Sequence, residues 1–315
     1  MWSPAANGLS LSGLELWLVD KVAFECSYIK DLEAVEPWNK NMMYGSLVQA
    51  GIEGFIKTRQ KRGASKFIQD EFEKQCKEFT EYEDISWWAG MAQHEINTWI
   101  EIYGADLDTY KITKSECQHK IDLTLPSGRI ITLNGYIDGE GEGVMMENKC
   151  RGEWDVDTVS REIDFNLQVN MYLLLFTATY GSLPERVWYQ HIRRPGGFGY
   201  RGPRQKAKET RDAFRIRIAE AIDTDRDYHF FRYWIRPDEE RHQRFLHGCL
   251  YPMLEGFLDW YEYMSHPQKK EQPNHCHWAT PYGLYNPFME GTQERFRNYR
   301  LTGSTLGLRP KVSYR

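Results

Sequence analysis

A chain of 315 residues with 41% hydrophobic content is long enough to bury a sizeable core. No apolar run reaches the roughly 18 residues that a membrane-spanning helix needs, and the N-terminus lacks the basic-then-apolar pattern of a secretory signal, so a soluble, intracellular protein is expected. Forty lysines and arginines against 45 aspartates and glutamates leave a net charge of −5, which excludes a uniformly basic nucleic-acid binder and directs attention to local basic segments.

In chain order, Met43 to Lys57 reads as a helix in which Gly45, Gln49 and Glu53 recur at four-residue spacing on one face. Asp84 to Tyr103 reads as helical, with Trp87, Trp88 and Trp99 expected to pack in the core. From Cys117 to Leu125 apolar positions alternate, Pro126-Ser127-Gly128 supplies a turn, and Arg129 to Asp138 alternates again, which predicts a hairpin. Gly139, Gly141 and Gly143 break the pattern, and Val144 to Lys149 resumes as a short strand. Ser160 to Tyr180 carries a helical apolar stripe (Ile163, Leu167, Met171, Leu174, Leu175, Ala178) that ends at Gly181, with Gln168 and Tyr172 one turn apart. Val187 to Arg194 is strand-like.

Beyond it, the run from Arg193 to Arg217 holds Arg193, Arg194, Arg201, Arg204, Lys206, Lys208, Arg211, Arg215 and Arg217 against Glu209 and Asp212 alone, a flexible basic loop leading into a helix and suited to phosphate contacts. Tyr228, Phe230, Phe231, Tyr233 and Trp234 are expected to pack in the core, and Leu246 to Met264 reads as a long helix. The tail after Arg300 reads as loosely ordered, with Gly303, Gly307 and Pro310 spaced through it. This organisation predicts one domain over 1–315: a mainly helical part (1–110), a strand-rich catalytic core (111–194), and a basic loop followed by helices (195–315).

Chemistry concentrates between Asn134 and Lys149. Successive strand side chains alternate, so Glu147 and Lys149 share a face and Asn148 points away, with Asp138 beside them on the preceding strand. Two carboxylates suit Mg²⁺ or Mn²⁺, hard cations that take oxygen ligands and leave room for water and substrate phosphate. An ammonium group nearby orients the attacking water or stabilises developing negative charge. An Asp and a Glu-x-Lys on neighbouring strands are also ordinary solvated surface, so this segment alone leaves both readings open.

Taken together, Gly45-x3-Gln49-x3-Glu53, then Gly135-Tyr136-Ile137-Asp138, then Glu147-Asn148-Lys149, then Gln168-x3-Tyr172 resemble the PD-(D/E)XK nucleases of the RecB type, known from phage and bacterial members. The resemblance covers Gly45 to Tyr172 and continues more loosely to the IRRP ending at Pro195. It implies an α/β fold, a mixed central sheet flanked by helices in a restriction-endonuclease-like core, with helical N- and C-terminal additions. It implies that Asp138 and Glu147 bind the metal, with the main-chain carbonyl of Asn148 as a further ligand, that Lys149 is catalytic, and that Glu53 supports the site from the helical side. Gln168 and Tyr172 would position the substrate strand, with Gln49, Arg151, Arg193 and Arg194 as further substrate contacts. The implied activity is a Mg²⁺- or Mn²⁺-dependent DNA nuclease, an exonuclease acting on single- or double-stranded ends in recombination, repair or phage DNA metabolism. Its setting would be the cytoplasm of a bacterium or phage-infected host.

The chain departs from the family pattern twice. Gln49 stands where many relatives carry His, which removes a nitrogen ligand, although an amide still hydrogen-bonds a metal-bound water. Several RecB-type nucleases hold an iron–sulfur cluster on one N-terminal and three C-terminal cysteines; here Asp20, Tyr285 and Gly291 occupy such places and only Cys276 remains, so no cluster is expected. The six cysteines (Cys26, Cys76, Cys117, Cys150, Cys249, Cys276) form no Cys-x2-Cys pair and read as reduced thiols, and His247, Cys249, His275, Cys276 and His277 fit no usual zinc module. A non-catalytic DNA-binding or assembly subunit on the same scaffold, or a hydrolase of another phosphate ester, remains as an alternative. No Gly-x4-Gly-Lys-Ser/Thr loop is present, so a helicase or annealing protein would be a separate partner, and an oligomer is compatible with the fold.

Overall fold

The computed structural model describes residues 3–34, 39–152, 163, 166–194, 205–265 and 308–310. The chain begins with a short strand, β1 (Leu9–Ser10), two helices, α1 (Leu11–Val19) and α2 (Lys21–Phe24), and β2 (Leu32–Ala34). Three long helices follow: α3 (Lys40–Thr58), α4 (Lys61–Glu78) and α5 (Tyr82–Thr109). Next come β3 (Lys114–Thr124), β4 (Ile130–Gly141), β5 (Val144–Arg151), α6 (Leu167–Tyr180) and β6 (Arg186–Arg193). The last described elements are α7 (Arg211–Thr224), α8 (Arg226–His229), β7 (Phe230–Ile235), α9 (Glu239–Phe245), α10 (Tyr251–Ser265) and β8 (Leu308–Pro310). A π turn, Leu246–Leu250, joins α9 to α10 in place of a plain helix start. Among the described residues no helix is long and apolar enough to cross a membrane.

Six strands form one mixed sheet, β1-β4-β5-β6-β7 with β3 also on β4. Strands β1 and β4, and β5 and β6, run parallel; the other pairs are antiparallel. Alternation along the strands sends side chains into two cores. Val144, Met146, Trp188 and Ile192 meet α3, α4 and α5, whereas Met145, Val187, Tyr189, Ile131, Leu133 and Ile137 meet α1, α6 and α10. The chain therefore forms the expected mixed sheet flanked by helices, with helical additions at the ends.

Several local expectations are corrected. Strand β4 does not stop at Asp138 but runs on through Gly139 to Gly141, because it keeps pairing with both β3 and β5; the chain reverses at Glu142-Gly143, where Gly143 takes a φ of +67° that suits glycine. Helix α6 starts at Leu167, since Asn166 caps it by accepting from the Val169 N–H at 3.0 Å; of residues 153–165 only Ile163 is described. Residues 230–235 form a sheet strand inside the part expected to be helical, because Phe230 to Ile235 can pair along the outer edge of β6. Leu308–Pro310, in the tail expected to be loose, pairs antiparallel with β2. The basic run is only partly free: Arg211 pairs with Asp84, Arg215 with Asp212 and Arg217 with Glu209, while Lys206 and Lys208 are exposed and Arg201 and Arg204 lie outside the described residues.

Asp20, which stands where the family resemblance puts a cluster cysteine, caps α2 by accepting from the Val22 and Ala23 N–H groups. The helices on either side of that position are joined to α10 by aromatic contacts. Trp17 and Phe24 pack edge-on against Phe257 with ring centroids 5.5 and 5.3 Å apart, and Phe24 meets Trp260 at 5.6 Å. Each such pair contributes about 0.5–1.5 kcal/mol beyond the area it buries. Cys276, Tyr285, Gly291, His275 and His277 lie outside the described residues.

On the other face, α3 and α5 are tied by the fully buried Glu95, which accepts from the Tyr44 hydroxyl at 2.8 Å. Burial lifts the Glu95 carboxyl to about 8 despite the Tyr44 hydrogen bond and the Arg194 charge. The folded state thus holds a proton that the unfolded chain releases near the ordinary carboxyl value. That stability is complete below the unfolded pKa and falls as pH rises towards 8. Chemical denaturation of Glu95→Gln should show a variant that gains stability relative to wild type between pH 5 and pH 8; parallel pH curves would contradict this assignment.

Candidate active site

The site lies where β4 and β5 part. They pair over only three rungs, Gly139 with Met146 through Gly141 with Val144, after which β5 continues alongside β6. Across the gap, Asp138 Oδ2 accepts the main-chain N–H of Asn148 at 2.6 Å, so a side chain supplies the bond that a neighbouring strand would otherwise provide. Burial, then the Glu147 carboxylate, drives the Asp138 carboxyl well above its usual range.

Glu147 is 1% exposed. Its Oε1 meets Lys149 Nζ at 2.6 Å and accepts from Gln168 Nε2 at 2.7 Å, whereas its buried Oε2 has no hydrogen-bond partner among the described residues. Burial raises the Glu147 carboxyl, opposed by Lys149. Burial works against the Lys149 charge, but Glu147 outweighs it and holds the ammonium above its ordinary value. Lys149 also donates to Gln168 Oε1, and Gln168 Nε2 lies 3.3 Å from the Tyr172 hydroxyl. The Tyr172 phenol is raised, chiefly by burial. Helix α6 comes this close to the sheet at Gly135: a Cβ there would sit 2.8 Å from Leu175 Cδ1 and 3.1 Å from Tyr172 Cε1.

On the opposite face stands α3, capped by Asn39. Gly45, Gln49 and Glu53 line a cleft of about 640 Å³ together with Asp138, Glu147, Asn148, Lys149, Gln168 and Arg194. Glu53 pairs with Lys57. Arg151 is exposed two residues beyond Lys149. Arg193 is engaged elsewhere: its guanidinium lies 3.9 Å from the Tyr228 ring and donates to the Tyr228 carbonyl at 2.9 Å.

One acid escaped the sequence reading. Glu116 of β3 falls opposite Asp138, between the rungs Ser115–Gly139 and Cys117–Ile137, in a left-handed backbone conformation with φ of +49°. It accepts from Gln49 Nε2 at 2.6 Å, and burial raises its carboxyl. In the sequence it is a polar residue just before the alternating run that begins at Cys117; only its place across the hairpin from Asp138 marks it.

Among the described residues no group of three or more His, Cys, Asp or Glu side chains stands together ready to hold a metal. What the cleft offers is two desolvated carboxylates, one with an unpartnered oxygen, and this set fits a hard divalent cation that keeps several waters.

No curated protein matches the chain. A solved structure described as "Crystal structure of SSO0001" aligns with 11% identity and a TM-score of 0.30 over 84% of this chain and 95% of that one. The family model of the PD-(D/E)XK nuclease superfamily matches residues 8–253, and the chain belongs to that superfamily.

Proposed function

We propose that this nuclease is a Mg²⁺- or Mn²⁺-dependent deoxyribonuclease of the RecB type, an exonuclease acting on DNA ends in recombination, repair or phage DNA metabolism. The observation that carries the metal reading is Glu147: a buried carboxylate with one oxygen fixed by Lys149 and Gln168 and the other left without a partner, beside Asp138. An oxygen in that state costs about 1–3 kcal/mol unless something binds it. Asp138 and Glu147 would hold the cation, with the Asn148 carbonyl as a further oxygen and Glu53 facing it from α3. When bound, the cation acidifies a water and neutralises charge on the scissile phosphate.

The protein's own groups supply the rest. Lys149 keeps its proton and places a positive charge where the pentavalent phosphate gathers negative charge. Gln168 holds Lys149 and Glu147 in register through one amide, oxygen to the lysine and nitrogen to the acid. Tyr172, protonated, can donate to a phosphate oxygen. Arg194 in the cleft wall and the exposed Arg151 would serve the backbone of the strand, a sequence-independent attraction that weakens with salt. The exposed Lys206 and Lys208 would extend it. A helicase or annealing protein would present the ends.

End-labelled single- and double-stranded oligonucleotides, incubated with each metal, test this reading. Lys149→Ala and Glu147→Ala should each lower cleavage at least 100-fold, in the range of removing one transition-state stabiliser. Cleavage at the wild-type rate would rule out the site, and wild-type DNA binding without turnover would identify a non-catalytic scaffold.

Metal binding has its own readout. Because the cation binds the folded state alone, Mn²⁺ at 100 times its dissociation constant should stabilise the wild type by about 2.7 kcal/mol. Thermal melts with and without Mn²⁺ should show this gain in the wild type and none in Asp138→Asn; equal gains in both would place the cation elsewhere.

A further inference from the structure

A line of hydrogen bonds with a single sense runs from the core of the sheet to the cleft. Trp188 Nε1 donates to Gln190 Oε1 at 2.8 Å, Gln190 Nε2 to Asn148 Oδ1 at 2.6 Å, Asn148 Nδ2 to Gln49 Oε1 at 3.3 Å, and Gln49 Nε2 to Glu116 Oε1 at 2.6 Å. The ends fix its direction. An indole N–H only donates, and the Glu116 oxygen accepts at the far end, so each of the three amides between them has one orientation that satisfies both neighbours. Turning any amide over leaves a donor facing a donor on one side and an acceptor facing an acceptor on the other.

The line ties together four elements, β6, β5, α3 and β3, around the gap between β4 and β5. Asn148 is its middle member and is held at three points: its side-chain oxygen by Gln190, its side-chain nitrogen by Gln49, and its main-chain N–H by Asp138. Glu147 and Lys149 flank it on the same strand and face the other way. Gln190 has no exposed surface and is not part of the cleft wall, so it meets neither substrate nor cation.

We propose that Gln190 is a positioning residue which, through Asn148 and Gln49, fixes the main chain between Glu147 and Lys149 and the spacing of Asp138 from Glu147, and so sets the affinity of the cleft for a divalent cation. The proposal rests on the metal reading given above and adds to it a residue outside the family motifs. It also gives Gln49 a use that differs from ligation: the amide passes the orientation of the core to Glu116.

The test is a cycle of Gln190→Met, which keeps the side-chain length and removes both bonds, Gln49→Met, which breaks the same line at its half-buried end, and the double variant. Mn²⁺ affinity is read by calorimetry on the metal-free full chain, and hydrogen exchange is followed on the peptide spanning 145–151. Each single variant should bind Mn²⁺ about tenfold more weakly, as outer-shell losses do, and the double variant should be no weaker than the worse single. Exchange at 145–151 should rise in all three, and Gln190→Met should lower kcat on DNA with KM held. Folded variants with wild-type Mn²⁺ affinity, losses that multiply in the double variant, or unchanged exchange would overturn the relay. If Gln190→Met fails to fold, Gln49→Met decides by the same readouts. A wild type that binds no Mn²⁺ would defeat the metal reading, and the exchange result would then judge the relay alone: increased exchange upholds it, unchanged exchange overturns it.

Discussion

The hydrogen bond from the Asn148 main chain to the Asp138 carboxylate is the constraint on which the site depends. A sheet whose strands stayed paired would bury both backbone edges and leave no cleft. Here β5 stays paired with β6 along its whole length but parts from β4 after three rungs, and the freed edge is closed by a side chain. One acid is thereby drawn into the sheet opening within reach of Glu147, while β6, itself buried between two helical layers, keeps β5 from closing back.

That geometry sets two acids at odds with their surroundings. Asp138 and Glu147 are both raised by burial, and Lys149 relieves Glu147 through one oxygen only. Perturbed carboxylates in a cleft are a common mark of function, and the unpartnered Glu147 oxygen gives that general association a specific atom. The aromatic contacts of Trp17, Phe24, Phe257 and Trp260 meanwhile join the N-terminal helices to α10 by packing alone.

Much of this was legible in the sequence because it follows from short-range periodicity. The two-residue repeat of β3 to β5 places Glu147 and Lys149 on one face and Asn148 on the other, and the four-residue spacing of Gly45, Gln49 and Glu53 puts them on one side of α3, all lining the cleft. What escaped depends on long-range pairing. Glu116 acquires its meaning from the hairpin register opposite Asp138, Gln190 from a strand neighbour 42 residues away, and Arg211 from Asp84, 127 residues away. The strand β7 was hidden for the same reason: its aromatic run packs equally well as helix or strand until β6 offers an edge. Glycine misled at Gly139 and Gly141, which remain in the strand, while Gly143 alone takes the left-handed turn.

The proposed site would hold a divalent cation between Asp138 and Glu147. Anomalous diffraction from crystals of the wild-type protein grown with Mn²⁺ tests it most directly. A manganese peak is expected within coordination distance of both carboxylates, with the Glu147 oxygen that lacks a hydrogen-bond partner among the described residues as one of its ligands. A peak at another site, or none between these two acids at saturating Mn²⁺, would contradict it.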